Sequence, residues 1–175
     1  MAQKPSTYSP CMQIIHWLSA FLILLMLLIG LIMVRMNPSP TQNVLFRVHI
    51  TSGMLVLALT IVRLGCRAMI PVPDVPSGIT GYRKILFHGI HILQYITIII
   101  LIVTGVGILK NSGLSLFSPD LTPQAINTDL QGAKIHSVLS KLLALITIIH
   151  IVGGLDYQFR HEDVLSRMGI NWFKK

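Results

Sequence analysis

Apolar and polar positions along the chain separate into four long apolar windows, at 12–34, 44–62, 85–109 and 135–155, divided by polar stretches rich in proline, glycine and serine. At about 1.5 Å per residue, each window wound as a helix can cross the roughly 30 Å hydrocarbon layer of a bilayer. The windows are apolar nearly all round, the pattern of helices that face lipid as well as one another. The expected fold is therefore all-α, a membrane four-helix bundle, with residues 1–175 forming one integral-membrane domain. Asn37-Pro38-Ser39-Pro40 is a turn short enough to make the first two helices antiparallel neighbours. The stretch 70–77 carries three prolines and reads as an extended loop. The longest connection, 111–134, mixes Gly, Ser, Pro, Asp and Thr with scattered Leu, Phe and Ile, and is expected to form an ordered cover. Past the fourth window, Glu162 to Met168 looks helical and Trp172-Phe173 followed by two lysines looks like an end lying on the membrane surface. No internal sequence repeat, low-complexity tract or soluble domain is visible.

Composition agrees with a bilayer as the chain's main surroundings. Apolar residues make up 53% and charged residues 11% of the chain, against about 25% charged in a soluble domain. The first window is too long for the apolar core of a secretory signal and is followed by Val34-Arg35-Met36-Asn37, which is no small-x-small cleavage site, so it is expected to stay as a span. A net charge of +8 would suggest a nucleic-acid partner in a soluble protein; here its distribution over the loops carries the information, and no nucleic acid is expected. Lys4, Arg63, Arg67, Arg83, Lys84, Arg160, Arg167, Lys174 and Lys175 fall on the side that holds both termini, while Arg35, Arg47, Lys110 and Lys134 fall on the other. The positive-inside rule then places both termini in the cytoplasm of a bacterium whose inner membrane the chain crosses. Cys11 and Cys66 lie near the cytoplasmic face, where thiols stay reduced, and their spacing matches no metal or redox motif.

Histidines give the windows their chemistry. A histidine inside hydrocarbon is costly enough to mark function by default. His136 and His150 stand fourteen residues apart on the fourth window, about 21 Å along a helix and within about 40° of one face. Because successive spans alternate in direction, His16 of the first window shares its depth with His150, and His49 of the second with His136. Two level pairs of neutral imidazoles are suited to hold two planar iron cofactors, and two ligands per iron leave no open position, which favours electron transfer over oxygen binding. A histidine-lined proton or metal path would normally recruit membrane carboxylates, and the spans contain no Asp or Glu. Absence of Cys-x-x-Cys-His points to haem b held without covalent attachment. Arg63 lies fourteen residues past His49, with Arg67 one turn on, and both are placed to pair with haem propionates or to anchor the helix at the interface. Gly53, on the face of His49, either leaves room for a planar group or lets helices pack closely. His88 and His91 share a face of the third window at one depth, which ranks them below the other four as ligands and leaves a supporting role or a small polar substrate. Lys141, inside the fourth window, either reaches a propionate or means that the helix begins later.

Ile15-His16-Trp17, Val48-His49 with Gly53, Arg63 and Arg67, His88-Gly89-Ile90-His91 with Tyr95, Ile135-His136 with His150, and Asp163 to Met168 together resemble the prokaryotic cytochrome b561 family over nearly the whole chain. That family comprises four-helix di-haem membrane proteins related to the cytochrome b subunits of nickel-hydrogenases and formate dehydrogenases. The resemblance implies His16, His49, His136 and His150 as axial ligands of two haems and electron transfer between a periplasmic donor and the quinone pool, with ubiquinone as acceptor. One branch of the family oxidises superoxide at the periplasmic face, which would make the chain a superoxide:quinone oxidoreductase; Arg35, Arg47, Lys110 and Lys134 could steer such an anion. The alternative is an electron-transfer subunit that docks on a dehydrogenase or hydrogenase as its redox partner. The chain departs from many relatives at Tyr157-Gln158, where they carry a His pair, and in lacking a proline over 101–104.

Overall fold

The computed structural model describes residues 5–76, 79–161 and 163–171. Four helices dominate it: α1 (Pro10–Met33), α2 (Pro40–Met69), α3 (Tyr82–Asn111) and α4 (Gln131–Arg160), followed by the single turn α5 (Val164–Arg167). All four long helices are apolar enough to cross a membrane; α2, α3 and α4 extend beyond both ends of the apolar windows that announced them, and α1 starts two residues before its window and ends one residue short of it. Helix starts follow local chemistry. Ser9 and Ser39 accept hydrogen bonds from the backbone N–H groups of Met12 and Gln42 at 3.4 and 3.2 Å, with Pro10 and Pro40 in the first helical position. The α4 helix begins at Gln131, so Lys141 is well inside it, and its side chain is exposed rather than turned to the bundle.

The α1 helix packs closely on α2 and α3 on α4, giving two antiparallel hairpins. They join where α2 runs against α3, whereas among the described residues neither α1 nor α2 approaches α4 comparably. Midway through the bundle, Leu22, Val56, Ile98, Leu101 and Leu143 from all four helices form a buried waist. Outside it most apolar side chains face outward, among them Phe21, Val103 and Val138 at 61, 65 and 64% exposure. Water would make that surface an aggregation hazard, while lipid makes it the normal exterior. Gly53 belongs to this packing: a Cβ there would meet Met26 Cε of α1 at 3.3 Å, so close helix approach accounts for it.

Each end of the bundle is closed. At the loop end, the segment after α3 folds back over α1 and α2, burying Leu121 against Phe46 and Leu109. Gln124 donates to Gln42 Oε1 at 2.6 Å, Gln42 in turn donates to the Met33 and Met36 carbonyls, and Arg47 donates to the Pro119 carbonyl at 2.8 Å. The expected cover is thus an ordered one. At the terminal end, Trp17 Nε1 donates to the Met168 carbonyl at 2.8 Å, Tyr8 N to the Arg167 carbonyl at 3.0 Å, and Arg167 to the Asp74 carbonyl at 2.8 Å. Asp163 caps α5 by accepting from Ser166 N; Glu162, Lys4 and the stretch 172–175 lie outside the described residues. Cys11 and Cys66, unrelated by any sequence motif, meet here as free thiols with sulfurs 3.9 Å apart, which ties the start of α1 to the end of α2.

Candidate functional site

Four histidines occupy the gaps between helices that do not pack closely on one another. His16 of α1 faces His150 of α4 with ring centroids 6.3 Å apart and planes at 66°. His49 of α2 faces His136 of α4 at 6.4 Å and again 66°. The four imidazoles thus fall into the two level pairs expected from residue spacing, one toward each end of the bundle. The waist residue Leu143 is midway between His136 and His150 on α4, as Val56 is midway between His49 and Arg63 on α2.

The spacing discriminates between uses. A first-row metal bonds an imidazole nitrogen at about 2 Å, and the nitrogen is about 1.1 Å from the ring centre, so imidazoles on opposite faces of one metal have centres roughly 6.3 Å apart. Both pairs meet that value. Among the described residues no group of three or more His, Cys, Asp or Glu could hold a metal ion, so any metal between these rings must bring its other ligands with it. A planar tetradentate macrocycle does so, and haem is that kind of group. Two glycines back the pair at the loop end. A Cβ on Gly30 would meet His49 Cε1 at 3.6 Å, and one on Gly105 would meet His136 Cε1 at 3.5 Å. Each ring therefore sits against bare backbone of the neighbouring helix. Thr104 Oγ1 lies 3.1 Å from His136 Nδ1, which fixes the ring through that nitrogen.

The pair at the terminal end has different company. His91 of α3 stands edge to face with His150, centroids 4.9 Å apart and planes at 88°. That separation is too short for a metal between the two, so His91 is a neighbour of the pair and not a third member. Arg63 is half-buried with its Nε unpartnered, and its guanidinium lies 5.7 Å over the Tyr95 ring. It is within electrostatic reach of His16 and His150. A half-buried guanidinium with an unpartnered Nε beside a histidine pair has the charge to receive an anionic edge such as a propionate. Arg67, one turn further, is exposed. His88 touches Phe87 and His161 touches Tyr157, with neither drawn into the level pairs.

Sequence spacing could not single out Gly30 and Gly105, since glycine is common in membrane helices for packing alone. Their signal emerges only in three dimensions. Gly30 follows His16 by fourteen residues and Gly105 follows His91 by fourteen, the same interval that separates His49 from Arg63 and His136 from His150. The first hairpin thus repeats in the second at these positions, even though the residues between them show no repeat.

A family description of prokaryotic cytochrome b561 matches residues 7–169. Cytochrome b562 of Cereibacter sphaeroides (strain ATCC 17023) is 28% identical over 174 residues, covering 96% of this chain and 98% of that protein. No solved structure matches significantly. With two histidine pairs whose ring centres are 6.3 and 6.4 Å apart inside a four-helix bundle apolar enough to span a membrane, and a match that runs from before α1 to past α5, the chain belongs to the prokaryotic cytochrome b561 family of haem-carrying membrane electron-transfer proteins.

Proposed function

We propose that the chain holds two b-type haems, one between His16 and His150 and one between His49 and His136, and passes electrons between a donor at the loop end and the quinone pool at the terminal end. The observation that carries this reading is the pair of centroid separations, 6.3 and 6.4 Å, at two depths of one bundle. His16 with His150 and His49 with His136 would hold the two haems, which when bound would supply one-electron chemistry. The protein's part is to hold the ligands, balance charge and exclude water. His136 and His150 are rigidly spaced by one helix, and the buried waist keeps water from the space between the two levels. Arg63 offers a half-buried guanidinium with an unpartnered Nε near the terminal-side pair, and the four apolar windows contain no carboxylate to compete for it.

Sidedness follows from charge: the terminal end carries the arginines and lysines that stay in the cytoplasm, so the loop end faces the periplasm of a bacterial inner membrane. Arg35, Arg47, Lys110 and Lys134 give that outer face the sign to attract a small anion, and superoxide is the donor this reading favours, with ubiquinone as acceptor. The test uses purified protein in ubiquinone-loaded vesicles. Superoxide supplied outside should reduce the haems and then the quinone, at a rate that falls as salt rises. Reduction that requires an added dehydrogenase or hydrogenase subunit would instead assign the chain to a docking role with no substrate of its own.

A further inference from the structure

His91 is a half-buried histidine that the two level pairs do not use, and it stands against one of them. Its place follows from the fourteen-residue register. On α1 the interval runs from His16 to Gly30, and on α3 from His91 to Gly105. Gly105 backs His136 at the loop end, and His91, four turns earlier on the same helix, backs His150 at the terminal end. The same helix therefore lies behind both α4 histidines, with bare backbone behind one and an imidazole wall behind the other.

That wall is held from two sides. His91 Nδ1 is 2.6 Å from the Phe87 carbonyl one turn back, which makes Nδ1 the protonated nitrogen and pins the ring to its own helix. The Phe87 ring lies 4.9 Å from it at 51°. With His91 fixed, the His150 ring has a perpendicular imidazole 4.9 Å away, close enough to restrict its plane. Outer groups that fix the plane of a metal-binding imidazole tune the metal's potential as well as its affinity.

We propose that His91 is a positioning residue for His150: it sets the plane of that imidazole, and through it the reduction potential and the ferric low-spin signal of the terminal-side haem. The inference rests on the di-haem reading above. Full-length His91→Ala, His91→Phe and His91→Gln proteins, purified in detergent, would be assayed for haem per chain, for both midpoint potentials by optical redox titration, and for low-spin signals by electron paramagnetic resonance. The terminal-side haem is identified as the one missing from His16→Ala. Each His91 variant should retain two haems, with the terminal-side potential and signal displaced and the loop-side ones unmoved. His91→Phe, which keeps an aromatic wall, should be displaced less than His91→Ala, and His88→Ala should match wild type. His91→Gln gives the same reading if the alanine variant does not assemble.

Unmoved potentials and signals in variants that hold two haems overturn the assignment. Loss of the terminal-side haem from all three variants overturns it too, because His91 would then be a ligand. Wild-type protein without two haems would defeat the di-haem reading itself, an outcome distinct from both.

Discussion

His150→Ala is expected to lower the haem content from two to one per chain while leaving the loop-side haem with its spectrum intact, and His16→Ala to do the same. The argument is one of separation. His136 and His150 stand fourteen residues apart on α4, about 21 Å by helical rise, and the buried cluster of Leu22, Val56, Ile98, Leu101 and Leu143 fills the bundle between them. The loop-side pair depends on Gly30, Gly105 and Thr104. The terminal-side pair depends on His91 and its neighbours. Among the described residues, the side chains named at one level form no hydrogen bond or ring contact with those named at the other, so removing a ligand at one end should be felt at that end alone. Haem extraction and quantification on each variant checks this. Two haems in either variant would mean that the pairing is wrong, and loss of both would mean that the levels assemble as one unit.

Gly105→Leu is expected to empty the loop-side position. A Cβ at 105 already reaches ordinary contact with His136 Cε1 at 3.5 Å, so alanine is accommodated and both haems remain. Leucine adds three carbons beyond that contact, on a side where His136 is also held by Thr104. Overpacking of this sort costs about 1–3 kcal/mol, and the ring, not the helix backbone, is the part free to give way. Displacing His136 from its 6.4 Å partnership with His49 breaks the sandwich. Gly107→Leu is the control, because a Cβ at Gly107 meets nothing within 4 Å. The absorbance of the reduced protein, scaled to protein concentration, should fall by half for Gly105→Leu and stay unchanged for Gly107→Leu and Gly105→Ala. A full complement of haem in Gly105→Leu would remove the glycine from any role at the site.

Depth along a span is a one-dimensional quantity, and whatever depends on it was legible in the sequence. The four helices and the level pairing of His16 with His150 and of His49 with His136 follow from counting residues between hydrophobic boundaries, and the ordered cover follows from the composition of 111–134. Angular position is different, because the rotation of each helix in the bundle is set by packing that no single window specifies. That is why Gly53 drew attention on the face of His49 yet packs on Met26, while Gly30 and Gly105 back the histidines. It is also why His91 gave no sign of meeting His150, and why Lys141 raised doubt about a helix from which it simply points outward. Cys11 and Cys66 needed the closeness of α1 and α2 at one end, which the short turn at the opposite end implies only in general terms. The repeat of the fourteen-residue interval escaped detection because it is confined to a few site positions, with the lipid-facing residues between them free to vary among apolar types.

The central claim is that two haems are held in one chain by paired histidines. Purified full-length protein, quantified by amino-acid analysis, converted to the pyridine haemochrome and scanned oxidised and reduced, tests it most directly. The account predicts two haem b per chain, both low-spin in either redox state. One haem or none per chain, or a high-spin spectrum showing an open axial position, would contradict it.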